Sequence, residues 1–285
     1  MGKILPEIQH NCCIKRYPDG GAEILACAAA VFRERGWEAA DKWEAEPRAA
    51  AAEHPDVAGN LARAKRRART MVRDYARAND FTHFVTLTLD ASRVTNRYDI
   101  DACTRDIRVT LDNLVRRKGL QYVLVPEEHK DGAIHYHGFI NAALPLVDSG
   151  TLSKGGGTPH KPRSARQREQ WLAEGWNVVY NVPAWKFGFS TAIALYGERD
   201  AAIGYVCKYI TKAQRKLGGR WYYSGGGLAL PSMEYCDVDF EQLSAVEAEH
   251  RFAVDALGCE MVRCYVRRWD DEAAARFGAV PRQPE

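Results

Sequence analysis

The stretch that most limits what this chain can become is a pair of short apolar runs around one tight turn. Leu120 to Glu128 is followed by Lys130-Asp131-Gly132 and then by Ile134-His135-Tyr136-His137-Gly138-Phe139. Asp-Gly between two such runs is a hairpin signal. Successive strand side chains point to opposite faces, so His135 and His137 face the same way. With the turn centred near Asp131, Glu127 stands opposite His135 on that face and Glu128 points away. A slip of one residue would exchange the two carboxylates, so Glu127 is the expected partner and Glu128 the reserve. Two imidazoles side by side can hold one metal ion if a third ligand arrives from a neighbouring strand. The same pair is also compatible with two half-buried histidines bonded to backbone or to each other, and the rest of the chain has to decide.

His83 to Asp90 alternates and is rich in β-branched and aromatic residues, which predicts a strand. Its aliphatic face carries His83, Val85, Leu87 and Leu89, and its other face Phe84, Thr86, Thr88 and Asp90. Asp99 to Lys118 carries an apolar stripe at helical spacing, from Ile100 through Cys103, Ile107 and Leu111 to Val115, and Gly119 ends it. Trp176 to Val182, Phe187 to Leu195 and Arg220 to Ser224 read as further strands. Pro145 to Gly175 reads as a surface insertion with a Gly-rich loop and a basic cluster that includes Arg163. Strand, helix, strand, strand predicts an α+β fold.

Before and after this region the text is plainer. Ala22 to Arg35 and Trp37 to Glu53 are rich in Ala, Glu and Arg and predict accessory helices. Leu61 to Arg77 predicts a helix with seven cations and Asp74 alone against them. Such a run is either a solvated face or a phosphate-contacting helix, with Arg66 and Arg67 among the contacts. From Asp239 onward two helices are expected, Phe240 to Leu257 and Glu260 to Phe277. The net charge of +3 is too small to argue for nucleic acid by itself. Eight cysteines without a CxxC pair or zinc-type spacing, no signal-peptide pattern and no membrane-length apolar run predict a reduced, cytoplasmic protein.

Glu198 to Lys216 predicts a second informative helix, containing Tyr205-Val206-Cys207-Lys208-Tyr209. Residues four apart lie one turn above each other on one face, so Tyr205 and Tyr209 form a pair with Lys208 and Lys212 beside them. This is either amphipathic packing with snorkelling lysines or a phenolic nucleophile among positive charges.

Phe84-Val85-Thr86-Leu87-Thr88, His135-Tyr136-His137 and Tyr205 to Tyr209, in that order, resemble the three motifs of the HUH replication-initiator endonucleases, which start rolling-circle replication. The tyrosines four apart with an intervening lysine are similar to the gene A-like class of small single-stranded DNA phages and related mobile elements. The resemblance covers about Phe81 to Ser224. It implies a central antiparallel sheet of about five strands with helices on one face. The N- and C-terminal helices expected from composition lie outside it, so the expected division is a helical region 1–78, an endonuclease domain 79–235 and a helical tail 236–285.

The resemblance further implies that His135, His137 and Glu127 bind Mg²⁺ or Mn²⁺ and that a tyrosine attacks phosphorus. Tyr205 and Tyr209 are both candidate nucleophiles, Tyr209 being otherwise a packing residue as in single-tyrosine relatives, and Lys208 is the candidate to position phosphate or metal-bound water. The product is a 5′-phosphotyrosine and a free 3′-hydroxyl, after which the strands are rejoined. Single-stranded origin DNA is the implied substrate in a bacterial host cytoplasm, with Arg66, Arg67, Arg163 and Tyr136 as candidate contacts and a host helicase and polymerase as partners. A relaxase or transposase of the same chemistry, a non-catalytic single-strand-binding module and a metal-dependent phosphodiesterase using water are the alternatives. Relaxases tend to carry a third histidine and an N-terminal tyrosine, which the sequence does not make evident.

Overall fold

The computed structural model describes residues 9–33, 57–94, 96–129, 132–195, 199–245, 250–254 and 259–278. The chain forms two compact units, Asp56–Leu230 and a second built from the segments on either side of it.

The second unit begins with β1 (Gln9–His10), β2 (Cys12–Arg16), β3 (Ala22–Cys27) and β4 (Phe32–Arg33). The helix expected over Ala22 to Arg35 is therefore replaced by strand. Alanine content favours a helix, but Ala22, Ile24 and Ala26 recur with a period of two and are fully buried, so the alternating pattern outweighs composition. The helix expected over Trp37 to Glu53 lies outside the described residues.

The larger unit runs α1 (Val57–Ala78), β5 (His83–Thr88), α2 (Ile100–Lys118), β6 (Tyr122–Glu128), β7 (Ile134–Ile140), β8 (Val147–Ser153), α3 (Ala165–Ala173), β9 (Asn177–Asn181), β10 (Ser190–Ala194), α4 (Arg199–Lys212) and β11 (Tyr223–Gly225). Its strands form one antiparallel sheet in the order β11-β6-β7-β5-β10-β9-β8. The α+β class is as expected, but the sheet has seven strands, not five. The segment read as an insertion supplies edge strand β8 and helix α3. Asp99 caps α2 by accepting a hydrogen bond from the Ala102 amide, and Gly119 closes it in the left-handed conformation (φ 71°) that glycine adopts without steric cost.

Helices cover both faces of this sheet rather than one. Val85, Leu87, Leu124, Ile134, Tyr136 and Ile140 pack with Cys103, Ile107 and Leu111 of α2. On the opposite face Val123, Val125 and Phe139 pack with Ala68, Val72 and Ala76 of α1 and with Ile203, Val206 and Ile210 of α4. Each helix contributes residues three or four apart, the spacing that presents one apolar stripe.

The remaining elements are β12 (Ser232–Cys236), α5 (Phe240–Ala245), β13 (His250–Val254), β14 (Cys259–Val266) and α6 (Asp271–Arg276). They complete a five-stranded sheet in the order β12-β2-β3-β14-β13. The two long helices expected here shrink to α5 and α6. In β14, Val262 and Cys264 are buried on one face, which is again a strand period. Cys27 and Cys259 are joined as a disulfide, against the expectation of thiols throughout, whereas Cys12, Cys13, Cys103, Cys207, Cys236 and Cys264 form no disulfide. No helix among the described residues is long and apolar enough to cross a membrane.

Gly138 shows how tightly the central strands are set. A Cβ added there would run into the Val123 carbonyl group on β6. Gly138→Ala should therefore destabilise the fold by at least about 2 kcal/mol, measured as a lowered urea midpoint; an unchanged midpoint would contradict this packing.

Candidate functional site

The hairpin closes with the register the turn chemistry predicts: Glu127 pairs with His135 and Pro126 with Tyr136. Glu127, His135 and His137 thus occupy one face. Glu127 Oε2 lies 2.9 Å from His137 Nε2. Glu128 turns away and pairs with Arg215 at 3.1 Å, so the reserve carboxylate is engaged elsewhere.

On the other side of β7 the register sets Thr86 opposite His137 and Thr88 opposite His135. Thr86 Oγ1 stands 3.2 Å from His137 Nδ1, and Thr88 Oγ1 stands 3.3 Å from His135 Nδ1. Each imidazole is held at Nδ1 by a hydroxyl, and His137 meets Glu127 at Nε2. A hydroxyl can donate or accept, so it keeps its bond whichever ring nitrogen carries the proton. These threonines were legible as a polar strand face, but their pairing with the histidines was not.

His137 is only 6% exposed. Burial pushes its pKa down to about 4, with the neighbouring His135 charge acting the same way. Burial raises the Glu127 pKa, while His129, Lys212 and Lys208 oppose that rise. The 2.9 Å contact between His137 and Glu127 is a hydrogen bond whose donor depends on the His137 tautomer. His129 stacks on His135 with ring centroids 5.2 Å apart, which brings a third imidazole to the pair.

Helix α4 delivers the tyrosines to this face. Ile203, Val206, Cys207 and Ile210 anchor it, and Arg77 of α1 pairs with Asp200 of its first turn at 2.7 Å. The two phenols are not equivalent. Tyr205 is 43% exposed, with its ring 6.2 Å from His137 and 5.7 Å from Phe84. Lys208 Nζ lies 6.0 Å from the Tyr205 ring centroid. Tyr209 is 8% exposed and stacks face to face on His137 at 4.1 Å. Burial, then a hydrogen bond with Tyr205, raises the Tyr209 pKa.

The suggested nucleic-acid contacts fall differently. Arg66 and Arg67 are exposed on α1, and Arg163 is exposed just before α3. Tyr136 is 2% exposed and packs between Trp185 and Tyr223 on the α2 side. Period-two alternation puts it on the face away from the histidines, where it cannot stack on a base.

Among the described residues no three His, Cys, Asp or Glu side chains converge as a closed metal shell. The His135 and His137 rings are 6.3 Å apart. The donor chemistry nevertheless suits a divalent cation: two imidazoles tied at Nδ1 and one carboxylate share a face, the outer-shell arrangement that fixes ligating histidines.

Residues 82–214 match the family model described as replication-associated protein ORF2/G2P. The matched segment takes in β5, the hairpin and α4, and supports a role in replication. Comparison with curated proteins and with solved structures gave no significant match.

In an NMR titration His137 should stay neutral down to about pH 4. Its folded pKa lies below the ordinary 6.5, so the unfolded chain binds more protons between these values. Stability should therefore fall as pH drops from about 6.5 to about 4. A midpoint near 6.5 would contradict the burial described.

Proposed function

We propose that the protein initiates rolling-circle replication by nicking single-stranded origin DNA with Tyr205. The observation that carries this reading is the placement of an exposed tyrosine, on a firmly anchored helix, directly over the face that holds His135, His137 and Glu127.

In the reaction the Tyr205 oxygen attacks phosphorus, the tyrosine-phosphorus bond forms and the bond to the 3′-oxygen breaks. The departing oxygen takes up a proton to give a 3′-hydroxyl that a polymerase can extend. The tyrosine's own proton is released, so the exchange needs no oxidant or nucleotide. The phosphodiester energy is retained in the phosphotyrosine, and the reverse attack rejoins strands.

His135, His137 and Glu127 are the residues that would hold Mg²⁺ or Mn²⁺, and such an ion supplies positive charge at a scissile phosphate. Thr86 and Thr88, at the two Nδ1 atoms, would hold the rings in place for such an ion. Lys208 and Lys212 add positive charge along the exposed side of α4, where a phosphate backbone would approach. Tyr209 is the candidate second nucleophile. It first has to leave its stack on His137 and give up its bond with Tyr205, so the two phenols act in sequence. A helicase and a polymerase would come from the host.

The test is a denaturing gel of labelled single-stranded origin DNA incubated with protein and Mn²⁺. Tyr205→Phe should remove the covalent band and Tyr209→Phe should keep it in the first round. Cleavage by wild type with no covalent band would move the protein to the hydrolytic phosphodiesterases. Binding with no cleavage would leave a single-strand-binding module.

Thr86→Val and Thr88→Val should each weaken Mn²⁺ binding about tenfold or more, as loss of an outer-shell partner does. Titration calorimetry reads this without any DNA. Thr86→Ser should restore it, and equal affinity in the valine variants would show that the hydroxyls are incidental.

A further inference from the structure

The segment leading into β10 carries a ring that the chemistry above does not use. Thr88 donates its amide to the Phe189 carbonyl at 2.8 Å, and Ser190 pairs with Leu87. Phe189 therefore stands opposite Thr88, one step beyond the last paired residue of β10. Ala192 points into the α2 core and is fully buried. Alternation then directs Thr191 and Phe189 to the other face, the one that bears the histidines.

A single cross-strand row results: Glu127, His135, Thr88, Phe189. Two strand spacings of about 4.8 Å separate Phe189 from His135, or roughly 10 Å. At 71% exposure Phe189 is the most open of the large hydrophobic side chains described. An aromatic ring this open adds little to the core, and it lies on the same face as the histidines.

The backbone that carries the ring is held firmly. Trp185 donates its indole N–H to the Thr88 carbonyl at 3.1 Å, and Asp90 donates to the Phe187 carbonyl at 2.9 Å. Gly188 lies so close to the Thr88 carbonyl and the Asp90 amide that no side chain would fit. The backbone presenting Phe189 is thus tied to the strand that orients His135 and His137.

We infer that Phe189 is a stacking platform for an unpaired base of the strand held at the histidines. This rests on the single-stranded DNA reading above and names the residue that grips the strand beside the reacting phosphate. An isolated ring continuous with that site suits a nucleobase, because every base has a π-face and stacking tolerates sequence. A protein partner would call for a contiguous apolar patch of several hundred Å², and one ring does not supply it.

The full-length chain is titrated, in EDTA, into fluorescein-labelled oligothymidylate of roughly 20 nucleotides, with anisotropy as the readout across a series of salt concentrations. Phe189→Ala should weaken binding about tenfold, within the range expected for loss of one stacked base. The slope of log affinity against log salt should stay the same, because no phosphate contact is lost. Phe189→Trp should restore wild-type affinity. The thermal midpoint should stay at the wild-type value in both variants. Binding by Phe189→Ala within twofold of wild type would overturn the inference, as would a changed salt slope. Wild type that binds no oligothymidylate and forms no covalent adduct with origin DNA would instead remove the nicking reading itself, and this inference with it.

Discussion

The candidate site depends on one register. Pairing Glu127 with His135 brings a carboxylate and two imidazoles to one face, and the strand period of two makes that outcome all-or-none. A slip of one residue would bury the histidines under α2 and turn Tyr136 towards α4. The fold guards against the slip at several points. Gly138 admits β6 more closely than any side chain would allow, and Ile134, Tyr136 and Ile140 are committed to the α2 core. Phe139 is fully buried in the opposite layer. The chemistry-bearing side chains sit where two packed cores leave them no alternative.

The second level of order is what holds those side chains. β5 brings Thr86 and Thr88 to the Nδ1 atoms, and α4 lays Tyr209 flat on His137. The exposed Tyr205 therefore stands beside a histidine whose ring is fixed from both sides. Functional residues on strands and an anchored helix, rather than on loops, are held more closely to one geometry. The same logic extends to Phe189, which is tied to β5 and shares its row.

The sequence made some of this plain and hid the rest for physical reasons. The hairpin register was legible because a two-stranded turn is local and the pleat does the rest. The helical pairing of Tyr205 with Tyr209 was legible for a similar reason. Contact between Thr86 and His137 was hidden, because α2 and β6 intervene between β5 and β7 and no local signal sets that register. The difference between the two tyrosines was hidden too, since helical spacing shows a shared face but not its depth. The five-stranded sheet escaped notice because it joins residues more than 200 apart, as in Cys12 with Cys236. Its alanine-rich strands also carry a helical composition.

On the function proposed above, the hairpin face braced by Thr86 and Thr88 would hold a divalent cation beneath Tyr205. The most direct test is an anomalous difference map from crystals soaked in Mn²⁺ and measured at the manganese edge. A peak bounded by His135, His137 and Glu127 is expected, with the direct Glu127–His137 hydrogen bond replaced. A map with that hydrogen bond intact and no peak on this face at saturating Mn²⁺ would contradict it.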